Sequence, residues 1–326
     1  MTDYTPHLPP SSPPPANKRH KQTKKQQHNN GQKAEILVIE CQNKMTTPAA
    51  NKARRKAEWM LLMATVFWGW TFPVIKEAIS EIPVFAFLAV RFALSALCML
   101  PMAGAAGGMP SMQTTKTGIW LGILLFGVFA LQTWGLVYTS SANSAFITGF
   151  YLIWVMLAAA RDRRALISVL LAVGGLWFLT SPADGGINTG DWLTLGCSVF
   201  IAWHLLILSR LPEAASSAQL AAAQFAVVAL LSLLCSLIWE DFRWQWRADW
   251  LFAFLLTSLG ATVFAFWAQT HFQRRTTPIR AGVILVMESV FALLFAAALY
   301  KEPLTPTALI GCGLMLTAML TTIIRK

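Results

Sequence analysis

Polar and apolar positions along this chain fall into long blocks. From residue 57 onward, apolar segments follow one another at roughly 57–76, 84–103, 118–138, 143–160, 165–181, 190–210, 217–239, 249–272, 280–300 and 304–324. Their usual length, about twenty residues, is that of a helix crossing the hydrocarbon core of a bilayer. The connections are short, and no soluble domain is inserted. The pattern predicts an all-α integral membrane protein with ten transmembrane helices. The fourth segment stops abruptly in "AAARDRR", which predicts a shortened helix 4. Composition agrees: 13% of the residues are charged and 56% hydrophobic, whereas a soluble domain carries about a quarter charged residues.

Residues 1–56 are a different kind of polymer. "PHLPPSSPPPANKRHKQTKKQQHNNGQK" is rich in Pro, Lys, Gln and Asn, too polar to bury a core, and reads as a disordered basic tail. Met45 opens "MTTPAANKARRKAEWM", a second plausible start just before the first helix; either translation begins there or the tail is real. The net charge of +11 raises the question of a nucleic-acid partner, but its distribution argues against one. With the N-terminus in the cytoplasm, inside regions hold the basic residues of the tail, Lys116, Arg161, Arg163, Arg164, Arg210, Arg274, Arg275, Arg280, Arg325 and Lys326. Outside regions hold only Lys76, Arg243, Arg247 and Lys301. This is the asymmetry that orients membrane proteins. It predicts a multi-pass membrane protein with both termini cytoplasmic. The five cysteines (Cys41, Cys98, Cys197, Cys235 and Cys312) show no CxxC or Cys/His ligand spacing, so no metal or other cofactor is expected.

The chain also repeats itself. "VFWGW" (66–70) lies 133 positions before "VFIAW" (199–203), and "VRFALSAL" (90–97) the same distance before "AQFAVVAL" (223–230). "FALQTWGLVYTSSANSA" (129–145) lies 135 before "FAFWAQTHFQRRTTPIR" (264–280). The halves, 57–181 and 190–324, read as copies of a five-helix unit. Five is odd, so the second copy enters the membrane inverted, an architecture of transporters with a substrate site near the midplane. "ISVLLAVGG" (167–175) matches "IGCGLMLTA" (310–318) at 143 instead. Roughly eight to ten residues are thus missing between helices 4 and 5 of the first copy.

Four stretches together resemble the EamA-type members of the drug/metabolite transporter superfamily. They are "FWGWTFPVIK", "AVRFALSAL", "GLVYTSSANSAFITGFY" and "LVMESVFALLFAAALYKEPLTPTALIGCGLMLTA". Ser289 stands where that family usually has Pro, Met156 where its first repeat often has Pro, and Lys301-Glu302-Pro303 replaces its usual turn. The resemblance implies two inverted repeats around a central cavity. It also implies secondary transport, often export, of amino acids or related small metabolites.

Several polar or aromatic residues inside the apolar segments are candidates for lining such a cavity. Glu288 is the one charged residue in 281–300, and Arg91 sits mid-segment. Charges there face protein, water or each other. Glu288 is either a neutral hydrogen-bonded acid, a site for a substrate ammonium, or a proton carrier, with Arg91 a possible partner. Arg91 is an anchor for a substrate carboxylate or a structural residue bonded to carbonyls. Its repeat mate is Gln224. Trp68 and Trp70 flank Gly69 in helix 1, and Trp203 and His204 occupy the matching place in helix 6; the alternative for each is packing. Gln132, Tyr138, Asn143 and Tyr151 surround the junction of helices 3 and 4, where "TSSANS" also suits a cap.

A transporter with a small-molecule substrate in a lipid bilayer is the expected function; no oligomeric state is implied. The alternatives are an integral-membrane enzyme or an inactive membrane partner protein. No HExxH, GxSxG or phosphate-binding Gly loop is present, so no enzyme is expected. Reporter fusions after residue 188 should read periplasmic and after residue 326 cytoplasmic; the opposite result at either point overturns the topology.

Overall fold

The computed structural model describes residues 48–139, 141–159, 163–180, 188–212, 215–241, 248–300 and 305–323, and these contain helices and turns but no strand. The chain divides into two units, Met1–Lys52 and Ala53–Lys326. Of the first, only the opening turn of the first helix is described, so the expected tail and the start at Met45 lie outside the described residues. Everything below concerns the second unit.

The first half contributes α1 (Pro48–Ala78), α2 (Val84–Ala105), α3 (Met112–Tyr138), α4 (Ser141–Thr148), α5 (Tyr151–Ala159) and α6 (Arg163–Thr180). The second contributes α7 (Thr189–Leu208), α8 (Ser217–Trp239) and α9 (Asp249–Leu255). A π-helical segment (Leu256–Phe264) then leads into α10 (Ala265–Phe272), α11 (Pro278–Leu285), α12 (Glu288–Tyr300) and α13 (Pro306–Ile323).

Seven helical stretches among the described residues are long and apolar enough to cross a membrane. The other three expected segments differ. Residues 143–159 form two helical pieces, α4 and α5, meeting at Gly149-Phe150. α6 and α13 hold shorter apolar stretches, Leu166–Gly175 and Leu309–Ala318, and pack along each other. The residues just after α5, where the first copy is expected to be short, lie outside the described set.

The outer surface is apolar, with Leu97, Leu157, Leu237, Ile238 and Trp239 all well exposed. A surface of this kind suits lipid rather than water. Polar groups turn inward and to the helix ends. α2 starts at Pro83 without a capping side chain of its own. The Glu240 carboxylate, just past α8, supplies the cap, accepting hydrogen bonds from the Phe85 and Ala86 amides at 2.8 and 2.9 Å. α2 and α8 pack along each other, which brings the cap within reach. Lys76 likewise donates to the Leu136 and Thr139 carbonyls at the C-terminal end of α3. Asn188 and Asp191 form a capping box on α7, and Thr139 donates to Asp191 at 2.6 Å.

α3 and α7 approach closely at Gly135 and Gly190. A Cβ on Gly190 would lie 2.5 Å from the Gly135 carbonyl oxygen and 2.9 Å from the Thr139 nitrogen, both backbone atoms that cannot swing away. Gly190→Ala should therefore cost about 1–3 kcal/mol by overpacking, read as a lower thermal unfolding midpoint in detergent. Gly174→Ala, where an added Cβ meets nothing within 4 Å, should leave the midpoint unchanged or raised. Equal midpoints for the two variants would count against this crossing.

Candidate functional site

Two helices break inside the bundle, at corresponding places. The chain between α4 and α5 tightens into i→i−3 turns: Phe150 N donates to Ile147 O, Leu152 N to Gly149 O and Ile153 N to Phe150 O. Between α11 and α12 the same happens, with Met287 N to Ile284 O, Ser289 N to Val286 O and Val290 N to Met287 O. α5 and α11 touch, and the Tyr151 hydroxyl donates to the Gly282 carbonyl at 2.8 Å. Gly69 lets α1 press onto the second break; a Cβ there would sit 2.7 Å from the Glu288 carbonyl oxygen.

A cavity of about 80 Å³ lies beside the breaks, enough for several waters at about 10–15 Å³ each by the same measure. Its lining pairs between the two halves. Trp68 and Ile201, and Thr71 and His204, lie 133 positions apart, in the register expected for the first helices. Gln132 and Gln269, Phe129 and Phe266, and Tyr151 and Glu288 lie 137 apart, not the expected 135. Tyr151 and Glu288 each open the helix that follows a break.

Arg91 is 1% exposed, on α2. Its Nε donates to the Thr262 hydroxyl at 2.9 Å, and its guanidinium lies over the Phe129 and Phe92 rings, 4.7 and 5.3 Å from their centroids. Such faces attract a cation. Its Nη1 has no hydrogen-bond partner. Thr262 belongs to the π segment and donates to Thr257 O, five residues back. Ser258 in the same segment donates to the Arg91 carbonyl at 3.1 Å, and the Trp68 indole donates to Ala261 O at 2.8 Å. The widened helix thus turns backbone and hydroxyl groups toward α1 and α2, as such segments do at functional sites.

His204 Nε2 lies 2.7 Å from Gln224 Oε1. Gln224 Nε2 donates to the Leu220 carbonyl, which only accepts. Its Oε1 must therefore face the ring, and His204 carries the proton on Nε2. Glu288 is half-buried on the cavity wall. Among the described residues no ion pair within 4 Å joins it to Arg91, although both line the same cavity.

Of the ten residues expected from the sequence, Glu288, Arg91, Gln132, Tyr151 and His204 line the cavity. Gln224 stands behind, holding His204. Trp70 stacks on Phe295 instead. Trp203 and Tyr138 point outward, at 57% and 54% exposure; helical rotation turns Trp203, one residue from His204, and Tyr138, two residues from Leu136, away from the cavity. The Asn143 side chain lies outside the described residues. Trp68, one of the aromatics flanking Gly69, also lines the cavity; Thr71 and Gln269 were not singled out by the sequence, although the dipeptide Gln-Thr at both 132–133 and 269–270 was a signal.

The EamA-like transporter family model matches residues 55–181 and again 188–324. The chain belongs to the EamA-like transporter family. This EamA-like protein is 32% identical over 273 residues to an "uncharacterized transporter" of Archaeoglobus fulgidus, covering 82% of this chain and 85% of that one. It is 23% identical over 290 residues to the "uncharacterized transporter YetK" of Bacillus subtilis, covering 82% and 86%. A solved crystal structure shares its fold with a TM-score of 0.69 at 17% identity, covering 82% of this chain and 96% of the other. The family and the apolar helices make it a multi-pass membrane protein.

Thr262→Val should destabilise this transporter by about 1–3 kcal/mol, because it leaves a buried donor of Arg91 unsatisfied. Thermal unfolding in detergent measures this, and Thr262→Ser should restore the midpoint. A Val variant as stable as wild type would mean that the hydroxyl is not what holds Arg91.

Proposed function

We propose that this protein is a secondary transporter that exports amino acids or related small metabolites across the bacterial inner membrane by alternating access. Ten membrane-crossing segments form two inverted repeats, with both termini cytoplasmic. The fourth and ninth segments are the broken helices, and the cavity between them is the solute site.

The observation that carries this reading is the pair of breaks, one in each family-matched half, meeting beside a cavity whose lining pairs between the halves. Interrupted helices at corresponding places in two repeats are where secondary transporters bind solute, because freed polar groups can face it there. The wall offers a guanidinium with a free Nη1, a carboxylate and aromatic faces. These suit a small solute with a carboxylate and an amine: Arg91 takes the carboxylate and Glu288 the ammonium. Thr71 and the Gln132 side chain add polar contacts of lower charge. Rocking of one half against the other then exposes the cavity to each side in turn.

In proteoliposomes, Glu288→Gln should insert and fold normally, since Gln keeps size and hydrogen bonding, yet lose most transport. Transport at the wild-type rate would make Glu288 a packing residue. Transport that persists but no longer responds to pH would make it the proton carrier and leave solute binding to the other groups.

A further inference from the structure

Two polar atoms of cavity-lining residues have no hydrogen-bond partner: Arg91 Nη1, a donor, and Gln269 Oε1. Gln269 is 4% exposed. An amide can ordinarily turn over and offer either end, but this one is pinned. The Leu205 carbonyl only accepts, and takes the Ser209 hydroxyl at 2.8 Å and Gln273 Nε2 at 2.7 Å. With its single proton engaged there, Ser209 Oγ accepts from Gln273 Nε2, at 2.8 Å. Both contacts fix the Gln273 nitrogen on that side, so its Oε1 faces Gln269. Gln269 must then present Nε2 to it, at 2.9 Å. What remains of the Gln269 amide is a bare acceptor.

We propose that Gln269 is a solute-binding residue that accepts a hydrogen bond from an ammonium or N–H group, and that Gln273 positions it from outside the cavity. Arg91 takes the anionic end, so the cavity selects small solutes carrying both a carboxylate and a nitrogen donor over carboxylates that lack the donor. An ammonium has three protons and serves Gln269 and Glu288 together. A carboxylate without the amine leaves the Gln269 acceptor buried and unpaired, and this adds to the discrimination that Glu288 supplies. The inference rests on the reading of this cavity as the solute site.

The test uses the purified full chain in detergent, with tryptophan fluorescence reporting binding. Dissociation constants are measured for L-alanine and L-leucine and for their des-amino counterparts, propionate and 4-methylpentanoate. Wild type should prefer the amino acid of at least one pair by more than about threefold, at least the worth of one net hydrogen bond. In Gln269→Leu that preference should fall by about three- to tenfold while affinity for the des-amino acid stays within about twofold, since one donor contact is lost and Glu288 still meets the ammonium. Arg91→Gln should weaken both members of the pair. A preference undiminished in Gln269→Leu overturns the proposal and leaves the cavity's role intact. If wild type binds none of the four, or Arg91→Gln changes nothing, the solute-site reading falls and this proposal with it. Should Gln269→Leu fail to give a monodisperse protein, Gln273→Met decides: it unpins the amide without touching the cavity, and an unchanged preference there overturns the proposal.

Discussion

A helix that breaks in apolar surroundings must satisfy the backbone groups it would otherwise leave bare, and the centre of this molecule follows from that constraint. Around both breaks, at 149–150 and 286–287, several amides pair by tightening from i→i−4 to i→i−3 hydrogen bonding, Phe150 and Leu152 at the first and Met287 and Ser289 at the second. The Gly282 carbonyl takes both the Val286 amide and the Tyr151 hydroxyl. Each broken helix therefore supports the other, and α1 seals the second break through Gly69, where no side chain intervenes. The two residues that restart the helices, Tyr151 and Glu288, are carried onto the cavity wall as a result.

Arg91 poses the second demand. A buried guanidinium needs hydrogen bonds and a polarisable setting. The π segment of the second half provides the former through Thr262, and Phe92 and Phe129 provide the latter. The demand is met incompletely, since Nη1 stays free. On the proposed reading that shortfall is where a solute anion would complete what the protein leaves open. Polar chemistry is thereby confined to the interior while the exterior stays apolar enough for lipid.

The two halves match in backbone and differ in chemistry. Trp68 faces Ile201 across the register, Thr71 faces His204, and Tyr151 faces Glu288. Arg91 has Gln224 as its counterpart, and Gln224 has withdrawn to hold His204. The frame repeats while the lining does not, and the guanidinium of Arg91 and the carboxylate of Glu288 come from different halves.

The sequence alone determined the membrane class, the repeat, the family and the two buried charges, because block hydrophobicity and an intramembrane Arg or Glu are written in residue type and need no geometry to be read. It also pointed to Gln132, Tyr151 and His204. The tertiary structure decided the rest. Which face of a helix looks inward depends on rotation about its axis, so Tyr138 and Trp203 point outward while Trp68 and Gln269 point in. The first break carries Gly149, a visible permissive residue, but the second falls at Val286-Met287, where neither Gly nor Pro marks it. That break lies against α1 and α5, just as contact with Arg91 and Trp68 accompanies the π segment. These are long-range interactions, between residues more than a hundred positions apart, and no local pattern encodes them.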